Sequence, residues 1–485
     1  METSGLPGMN WVLPRPEAVL RRVPRIEFHE SELRRTASII EDTLRSFGIR
    51  ARVVMINRGP VFIEYGIETG ARIRQIVDLK ADLALALSAR EVEIEASRDG
   101  YRTISIFVLN RTASPVALLD ATSELSDASI RTRQGLRLFL GRNRQGEPLF
   151  VDLTKTAHLG VFGRAQSGKS AFCHSVILNL CLYHSPDELR LVLFDFKGVE
   201  FAAYRKLPHL LEPIVETDEQ AADTIRALGR EIQTRVSAIK EVGAHNLATY
   251  NLARSTGRLP SWVFIWDDAT ISMMGGEYSW LLSLANLMPF ASQVGILFVI
   301  AASQPSNRTF HRVLNHLASR IVFRVGTSAE SKLLVDETGA ERLHGSGDAL
   351  AVGFDLFGHS RIQTCLTSQS EQKHLVDHWH SQTMAPSSRS APPVADIVEP
   401  DGKAAGPMTT KAAHDKDDTD LLSKAIALVR SEDKASISRL QRILRIGYVR
   451  AARIVDELER RGIVGPSVTG QQFREVLKRG GGNSR

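Results

Sequence analysis

A glycine-rich segment at residues 163–170 carries the residue types that bind phosphate groups. Its sequence fits the pattern G-x-x-x-x-G-K-[ST] and lies between a predicted strand at 158–162 and a predicted helix from about 169 to 183. Glycines at such a turn let backbone N–H groups surround the β-phosphate of a nucleotide at the start of a helix. The sequence therefore predicts a nucleotide-binding loop of Gly163, Arg164, Ala165, Gln166, Ser167, Gly168, Lys169 and Ser170.

Within this loop, Lys169 is expected to bridge the β- and γ-phosphates of ATP, and Ser170 to hold Mg²⁺. Two aspartates that follow an apolar stretch at 262–266 supply the carboxylates that such a site needs. Asp267 is expected to hold the Mg²⁺ with its water, and Asp268 to polarise the water that attacks the γ-phosphate. Two aspartates after a strand also commonly cap a helix, but the glycine-rich loop about 100 residues upstream favours the nucleotide role.

Apolar strands that alternate with helices between 158 and 370 must position these residues. Continuous apolar strands separated by helices are typical of a mostly parallel sheet covered on both faces. Gln304 follows one of these strands and is expected to sense the γ-phosphate, although an isolated polar residue more often simply ends a strand. The predicted strands, which follow a hairpin at 136–152, lie at 159–162, 189–194, 262–266, 296–302 and 320–325.

Two further folded regions and a linker are predicted around this core, which is assigned to residues 123–380. Residues 12–122 are expected to form a small α/β domain, because amphipathic helical and strand patterns alternate along them. Residues 381–418 lack an apolar period and read as a flexible linker, and a third domain follows at 419–478. The patterns in the first domain are helices at 31–47, which ends at Gly48, and 77–89, and strands at 52–56, 61–67, 92–96 and 103–109.

The third domain is strongly basic, with 12 Lys and Arg against 4 Asp and Glu between Lys434 and Arg485. Three short helices are predicted at 421–429, 437–444 and 449–461, and a tight turn at 446–448 suggests a helix-turn-helix. We expect this domain to bind DNA, although a basic helix pair could instead mediate protein contacts. Arg450 and Arg453 begin the last helix and would face the major groove. Arg442 and Arg445 lie earlier and are better placed to contact phosphates.

Composition excludes several classes of protein. The 485 residues, with 43% hydrophobic and 24% charged, are typical of a folded chain of about three domains and not of a collagen-like, coiled-coil or disordered one. The three cysteines form no C-x-x-C pair, so no disulfide framework or zinc site is expected, and a reducing cytoplasm fits best. The longest apolar run, at 294–302, is too short to span a membrane, and no signal pattern precedes it.

This ordered set of motifs resembles the motor portion of the FtsK/SpoIIIE family of bacterial double-stranded DNA translocases. The resemblance covers residues 12–380 and 419–478. It implies an α/β protein with a RecA-type P-loop NTPase core, a small N-terminal α/β domain and a C-terminal winged helix. The motifs that carry it lie at 57–61 and 82–90 for the alpha domain, at 194–200, 207–211, 246–251 and 339–348 for the beta domain, and at 434–438 and 445–453 for the gamma winged helix.

The family resemblance implies a hexameric ring around double-stranded DNA, driven by ATP at the subunit interfaces. The resemblance also implies that the winged helix loads or orients the ring, and that the protein acts in segregation or transfer of chromosome or plasmid DNA. It names no recombinase and no division or transfer partner. Family members usually carry N-terminal membrane helices, whereas this chain starts at the alpha domain, so no membrane span and a cytoplasmic location are expected.

Two departures from the family pattern bear on the rate of hydrolysis. The family's Asp-Glu pair is Asp267-Asp268 here, so the catalytic carboxylate is one methylene shorter. An arginine is lost from the segment at 303–306, so an arginine for the transition state must come from elsewhere, with Arg320 or Arg324 as candidates. A slow or inactive ATPase that uses nucleotide as a DNA-loading switch therefore remains an alternative. A secretion or conjugation motor is another, because the sequence at 195–198 also occurs in related secretion ATPases.

Overall fold

The computed structural model describes most of the chain before residue 385 and short pieces after it. Two compact units are present, Met1–Ser390 and Ala391–Arg485. The described residues are 11–23, 29–96, 103–122, 135–254, 256–269, 279–303, 308–354, 358–384, 434–435, 454, 458 and 474–475.

The N-terminal domain is a four-stranded antiparallel sheet with helices packed on it. Its strands are β1 (Ala51–Arg58), β2 (Phe62–Thr69), β3 (Val92–Ala96) and β4 (Thr103–Leu109), and they pair in the order β1-β2-β4-β3. The helices packed on the sheet are α2 (Glu30–Ser46), α3 (Ile73–Val77) and α4 (Lys80–Ala86), and a short helix α1 (Pro16–Val19) precedes them in the sequence.

The predicted helix at 77–89 was wrong in its bounds, because two shorter helices cover the region. The first begins at Ile73, four residues earlier than expected, where the Gln75 side chain accepts a hydrogen bond from the Arg72 backbone N–H at 3.0 Å. The helix predicted at 31–47 is confirmed as α2, except that Phe47 lies beyond its end and is 51% exposed. Gly48, at φ +77°, follows this helix as expected.

The core is a large sheet in which parallel and antiparallel strands occupy opposite halves. Five parallel strands are β8 (Leu159–Phe162), β9 (Leu189–Phe194), β10 (Ser261–Trp266), β11 (Ile296–Ala302) and β12 (Ser319–Phe323), in the order β12-β8-β11-β10-β9. The antiparallel half continues from β12 through β13 (Asp348–Val352), β14 (His359–Leu366), β6 (Arg137–Asn143) and β7 (Pro148–Asp152), and the short β5 (Val116–Ala117) pairs with β14 in parallel. The α/β class is confirmed, and the parallel part is half of the sheet rather than most of it.

Helices cover both faces of the parallel half of this sheet, so that each parallel strand contributes alternate residues to two hydrophobic cores. Leu191 and Leu193 lie in one core, and Val192 and Phe194 in the other. The helices are α5 (Leu118–Thr122), α6 (Leu153–Thr156), α7 (Lys169–Tyr183), α8 (Asp218–Glu241), α9 (Leu247–Leu252), α10 (Ser279–Ala291), α11 (Arg308–Leu314), α12 (Ser328–Val335) and α13 (Gln369–Met384).

Both ends of the region predicted as the first domain pack on the large core. Val19 and Leu20 belong to the same core as Trp379, and the rings of Trp11 and Trp379 lie 5.8 Å apart. At the other end, β5 joins the large sheet through β14. In the sequence, the four-stranded sheet therefore lies between two chain segments that are docked on the large core.

The second unit contains a short antiparallel pairing of β15 (Lys434–Ala435) with β16 (Arg474–Glu475). Ile454 and Leu458, four residues apart, are buried at helical positions within the helix predicted at 449–461. The four arginines expected to contact DNA, Arg442, Arg445, Arg450 and Arg453, lie outside the described residues. Helix α13 runs to Met384, so the first residues of the predicted linker are helical, and its remainder is also outside the described part.

None of the helices in the described residues has the length and apolar character needed to cross a membrane.

Candidate nucleotide site

The glycine-rich loop connects β8 to α7 at the carboxyl edge of the parallel strands, as its sequence predicts. Gly163 has φ +147° and Gly168 has φ +123°, a region that side chains with a Cβ rarely adopt. A Cβ on Gly163 would come within 2.7 Å of the Phe323 Cβ, and one on Gly168 within 3.1 Å of the Gly347 nitrogen. The loop therefore needs glycine at both positions to keep its curved backbone against β12 and residue 347.

Lys169 begins helix α7 and is 6% exposed. Its Nζ donates a hydrogen bond to the Arg164 carbonyl oxygen at 3.0 Å, so the ammonium lies over the loop itself. Burial lowers the pKa of Lys169, and the charges of Asp268 and Asp267 oppose that fall. The side chain is thus held inside the curve of the loop beside two carboxylates.

Ser170 and Asp267 meet although 97 positions separate them in the chain. The Ser170 Oγ donates to the Asp267 Oδ1 at 3.1 Å. Asp267 directly follows β10 and is 4% exposed. Burial raises the pKa of Asp267 to about 6, and the charge of Glu200 adds to the rise. The two residues predicted to hold a metal ion are therefore adjacent at the start of α7.

Asp268 has an unusual backbone and a carboxylate that is paired on one side only. Its φ is +47°, which is uncommon for a residue other than glycine. The Oδ2 accepts a hydrogen bond from the Lys197 Nζ at 3.0 Å, whereas the buried Oδ1 has no hydrogen-bond partner among the described residues. The Oγ of Ser167 in the glycine-rich loop is likewise buried and unpaired within the described part of the chain.

These features fit a nucleotide and Mg²⁺. The glycine-lined curve, a buried ammonium and an unpaired serine hydroxyl suit a phosphate chain. Mg²⁺ usually takes one or two protein oxygens and completes its shell with phosphates and water. Ser170 and Asp267 supply such oxygens, and no group of three or more His, Cys, Asp or Glu side chains in the described residues is arranged to hold a metal.

The two candidate arginines differ in their surroundings. Arg320 donates from Nε to the Leu317 carbonyl at 2.7 Å and from Nη1 to the Leu334 carbonyl at 3.0 Å, so its guanidinium binds the backbone of its own chain. These contacts disagree with a role in which Arg320 reaches a neighbouring subunit. Arg324 is exposed, and its carbonyl oxygen accepts the Arg164 backbone N–H at 2.9 Å. Gln304 lies outside the described residues.

The loop that follows β9 brings three residues to the site for which the sequence predicts no role. Asp195 binds the backbone of this loop, Lys197 contacts Asp268, and Glu200 lies 3.6 Å from the His174 Nε2. The contact with His174 lowers the pKa of Glu200. Their spacing after a strand that pairs with β10 is the signal that could have located them, because neighbouring parallel strands end at the same edge.

A second set of charges, here called the Arg361 cluster and formed by Glu93, Arg144, Asp348 and Arg361, joins the N-terminal domain to the large sheet. Arg361 Nε and Nη2 donate to the two oxygens of Asp348 at 2.9 and 2.7 Å, and its Nη1 donates to Glu93 at 2.9 Å. Arg144 also lies 2.9 Å from Glu93. Asp348 follows Gly347, whose backbone N–H donates to the Ser167 carbonyl at 3.3 Å, so the cluster adjoins the glycine-rich loop.

Comparison with known proteins gives one consistent family. The FtsK/SpoIIIE family matches residues 124–344, the FtsK alpha domain residues 13–110, and the FtsK gamma domain residues 416–479. The chain is 33% identical over 493 residues to the DNA translocase FtsK of Halalkalibacterium halodurans, covering 98% of this chain and 60% of that protein. It is also 33% identical over 451 residues to the DNA translocase SpoIIIE of Bacillus subtilis, covering 90% and 55%. The chain thus spans little more than half the length of these relatives.

Among solved structures, the pCW3 conjugation coupling protein TcpA, in its monomer form with ATPγS, matches with a TM-score of 0.47 and 18% identity. The match covers 70% of this chain and 99% of that one.

Proposed function

Because the chain belongs to the FtsK/SpoIIIE family, we propose that it is a motor that hydrolyses ATP to move along double-stranded DNA. The observation that carries the proposal is the meeting of the two nucleotide motifs, in which Ser170 Oγ and Asp267 Oδ1 lie 3.1 Å apart beside the buried Lys169. Matches to alpha, motor and gamma regions in the same order support DNA as the substrate.

Each residue of the site has a proposed role in hydrolysis. Backbone N–H groups of residues 163–170 bind the β-phosphate, and Lys169 neutralises the β- and γ-phosphates. Ser170 and Asp267 hold Mg²⁺, which supplies positive charge to the phosphate oxygens when it is bound. Asp268 orients the attacking water through its unpaired Oδ1 and accepts its proton, while ADP departs from the γ-phosphorus.

The DNA-binding and oligomeric parts of the proposal rest on the family. We infer a hexameric ring around duplex DNA, in which residues 416–479 contact DNA through Arg442, Arg445, Arg450 and Arg453. The last two are assigned to bases in the major groove and the first two to phosphates.

The purified 485-residue chain tests the motor directly. We expect linear duplex DNA to raise the rate of ATP hydrolysis severalfold, and the protein to displace a triplex-forming oligonucleotide from a duplex only when ATP is present. Lys169→Ala is the matched inactive control. An unstimulated ATPase that displaces nothing would contradict the proposal.

A slow ATPase that uses nucleotide as a DNA-loading switch is the second candidate, favoured by two features of the site. Asp268 is shorter than a glutamate, and Arg320 is bound to backbone carbonyls. Retention of the protein on closed circular DNA by ATPγS, together with a turnover that duplex DNA does not change, would favour this switch over the motor.

Arg324 is the proposed source of positive charge across the subunit interface, because it is the exposed one of the two candidates. Mixed hexamers of Lys169→Ala and Arg324→Ala subunits should recover part of the activity that each variant lacks alone, since some interfaces receive both groups. Failure to recover activity in assemblies that are verified as mixed would contradict a role for Arg324 in trans.

A further inference from the structure

We propose that Lys197 is a positioning residue for Asp268, which it holds by one carboxylate oxygen so that the other faces the nucleotide. The inference rests on the proposed function, because it concerns the step in which water attacks ATP. It assigns a role to a side chain outside both nucleotide motifs.

The starting point is the asymmetry of the Asp268 carboxylate. Lys197 Nζ lies 3.0 Å from Oδ2, and the side chain of Asp268 is only 15% exposed. Oδ1 is buried and lacks a hydrogen-bond partner among the described residues. A buried carboxylate oxygen without a partner is costly, and a water held against it when ATP is bound would remove that cost.

Lys197 reaches Asp268 because two neighbouring strands end at the same edge. In the parallel pairing of β9 with β10, Phe194 is opposite Trp266, so the residues that follow each strand leave the sheet side by side. The Asp267 backbone N–H donates to the Phe194 carbonyl at 3.1 Å, so the same register continues to the first residue after β10. The sheet thus places the backbone of the loop that carries Lys197 beside Asp268, and the lysine side chain, which is 39% exposed, completes the contact.

Asp195 holds the loop that carries Lys197. This aspartate is 2% exposed, and its carboxylate accepts three backbone N–H groups: those of Lys197 at 3.2 Å, Gly198 at 3.0 Å and Phe201 at 2.9 Å. A carboxylate that accepts several backbone N–H groups keeps a turn in one conformation. The backbone of Lys197 is therefore fixed, and only the side chain has freedom to move.

The far end of the same loop is tied to the helix that begins at Lys169. Glu200 lies 3.6 Å from His174 Nε2, and His174 Nδ1 lies 3.1 Å from the Tyr204 hydroxyl. His174 is a buried residue of α7. The loop thus spans from the end of β9 to the helix of the glycine-rich loop, which keeps Lys197 in place relative to both phosphate-binding residues and Asp268.

The short side chain of Asp268 explains why its carboxylate needs a residue that positions it. An aspartate has fewer rotatable bonds than a glutamate but places its oxygens nearer to the backbone, and its φ of +47° must be maintained by neighbours. Burial opposes the charge on Lys197, but the hydrogen bond to Asp268 and the charges of Asp268, Asp267 and Glu200 together outweigh it and raise the pKa of Lys197. The lysine is therefore charged when it holds the carboxylate.

Steady-state kinetics of Lys197→Met, Lys197→Arg, Asp268→Asn and the double variant Lys197→Met/Asp268→Asn test the inference. We expect Lys197→Met to lower kcat about 10-fold to 100-fold, because a carboxylate displaced by about 1 Å orients water poorly. The KM for ATP and the affinity for ATPγS should stay within about 2-fold of the wild-type values, since no ground-state contact is lost. Lys197→Arg should recover part of kcat, and in the Asp268→Asn background Lys197→Met should change kcat little.

Lys240→Met, at an exposed lysine in the last turn of α8, is the matched control and should behave as wild type. Three outcomes would overturn the inference: a wild-type kcat in Lys197→Met, a loss that appears in KM and ATPγS affinity instead, or equal losses with and without the Asp268 carboxylate. The second outcome would mean that Lys197 contacts the phosphates itself.

Thermal unfolding separates a failure of this inference from a failure of the proposed function. If the wild-type protein has no ATPase activity, the proposed function is overturned. The melting temperatures of the same variants then show whether Lys197 holds Asp268. Lys197→Met should lower the melting temperature when Asp268 is present and not in the Asp268→Asn background. Equal shifts in both backgrounds would overturn the inference.

Discussion

Asp268 in the nucleotide site and Asp348 in the Arg361 cluster are both largely buried carboxylates, but they differ in how many of their oxygens are paired. In the Arg361 cluster, both oxygens of Asp348 accept hydrogen bonds from Arg361, and the third nitrogen of that guanidinium donates to Glu93. Elsewhere in the cluster, Glu93 Oε2 has only its ion pair with Arg144, and Arg144 Nε has no hydrogen-bond partner among the described residues. In the nucleotide site, the Asp268 Oδ1 and the Ser167 Oγ are buried without partners among the described residues.

The difference distinguishes a carboxylate whose oxygens are both used within the fold from one that keeps an oxygen for the proposed nucleotide. A buried carboxylate with both oxygens bound by one guanidinium offers no atom to a ligand, and removing its partner is strongly destabilising. A site with unpaired oxygens and a desolvated lysine does little for stability and can bind phosphate strongly. The two regions are joined through Gly347 and Asp348, so sequence neighbours serve the two purposes.

Lys169→Ala should give the largest effect, and this effect should be a loss of ATP hydrolysis and not a loss of stability. Its removal takes the positive charge from the β- and γ-phosphates, so we expect ATP hydrolysis to fall about 10³-fold or more. The melting temperature without nucleotide should be close to that of wild type, because burial already disfavours the charge on Lys169.

The exposed Lys155 provides the matched control for this change, as Lys155→Ala. Hydrolysis by Lys169→Ala at the wild-type rate would mean that the nucleotide site has been placed wrongly. A large fall in the melting temperature of Lys169→Ala would contradict the view that the nucleotide site contributes little to stability.

Arg361→Leu should give the opposite pattern, a loss of stability. It leaves the 1% exposed Asp348 without its counter-charge, and we expect the free energy of unfolding to fall by about 3 to 5 kcal/mol. Urea denaturation followed by tryptophan fluorescence measures this in the large core, since all five tryptophans lie at 11, 262, 266, 280 and 379.

The double variant Arg361→Leu/Asp348→Asn should recover part of the lost stability, because it removes the unpaired charge. If the single and double variants lose the same amount, the cost is one of packing and not of an unpaired charge. A loss below about 1 kcal/mol would show that the cluster is no stronger than a surface ion pair.

His209 extends the comparison to a buried side chain that is uncharged in the folded protein. It is fully buried, its Nε2–H donates to the His184 carbonyl at 2.9 Å, and burial lowers its pKa to about 3. Because the unfolded chain binds a proton below about pH 6.5 and the folded chain does not, stability falls as the pH drops. We expect a loss of about 2 kcal/mol from this residue between pH 7 and pH 5.

Urea denaturation of wild type and His209→Gln at both pH values measures that contribution by difference. The glutamine keeps a donor for the carbonyl and cannot become charged, so the variant should lose less stability at pH 5. Identical pH dependence in the two proteins would mean that His209 is protonated in the folded chain.

Sequence patterns predicted the parallel half of the large sheet and missed much of the antiparallel half for a physical reason. The strands β8 to β12 are apolar because both faces are covered, and α7 follows a glycine-rich turn that has few other structural meanings. Strand β14 contains Arg361 and Gln363, which are buried but satisfied by distant partners. Pairing of this kind depends on tertiary contacts, so β14 showed no apolar run.

The candidate site was predictable in its motifs and not in its connections. Residues 163–170 and Asp267 were placed by the strand and loop pattern, and Ser170 meets Asp267 because both lie at one sheet edge. The contact of Lys197 with Asp268 depends on the register of β9 and β10, which no single segment encodes. The contacts of Arg320 with carbonyls of two separate segments were hidden for the same reason.

The docking of the N-terminal domain at both of its chain ends has a mechanical consequence. A rigid body fastened at two points keeps a single rotation, about the line through those points, and here the points are the Trp11–Leu20 segment on α13 and β5 on β14. Between those points, Glu93 pairs with Arg361 and Arg144, and Glu95 and Glu91 pair with Arg144 and His344, so several contacts together oppose this rotation. Breaking these contacts together would free that rotation and turn a fixed attachment into a hinge next to Gly347, whose backbone N–H contacts the glycine-rich loop.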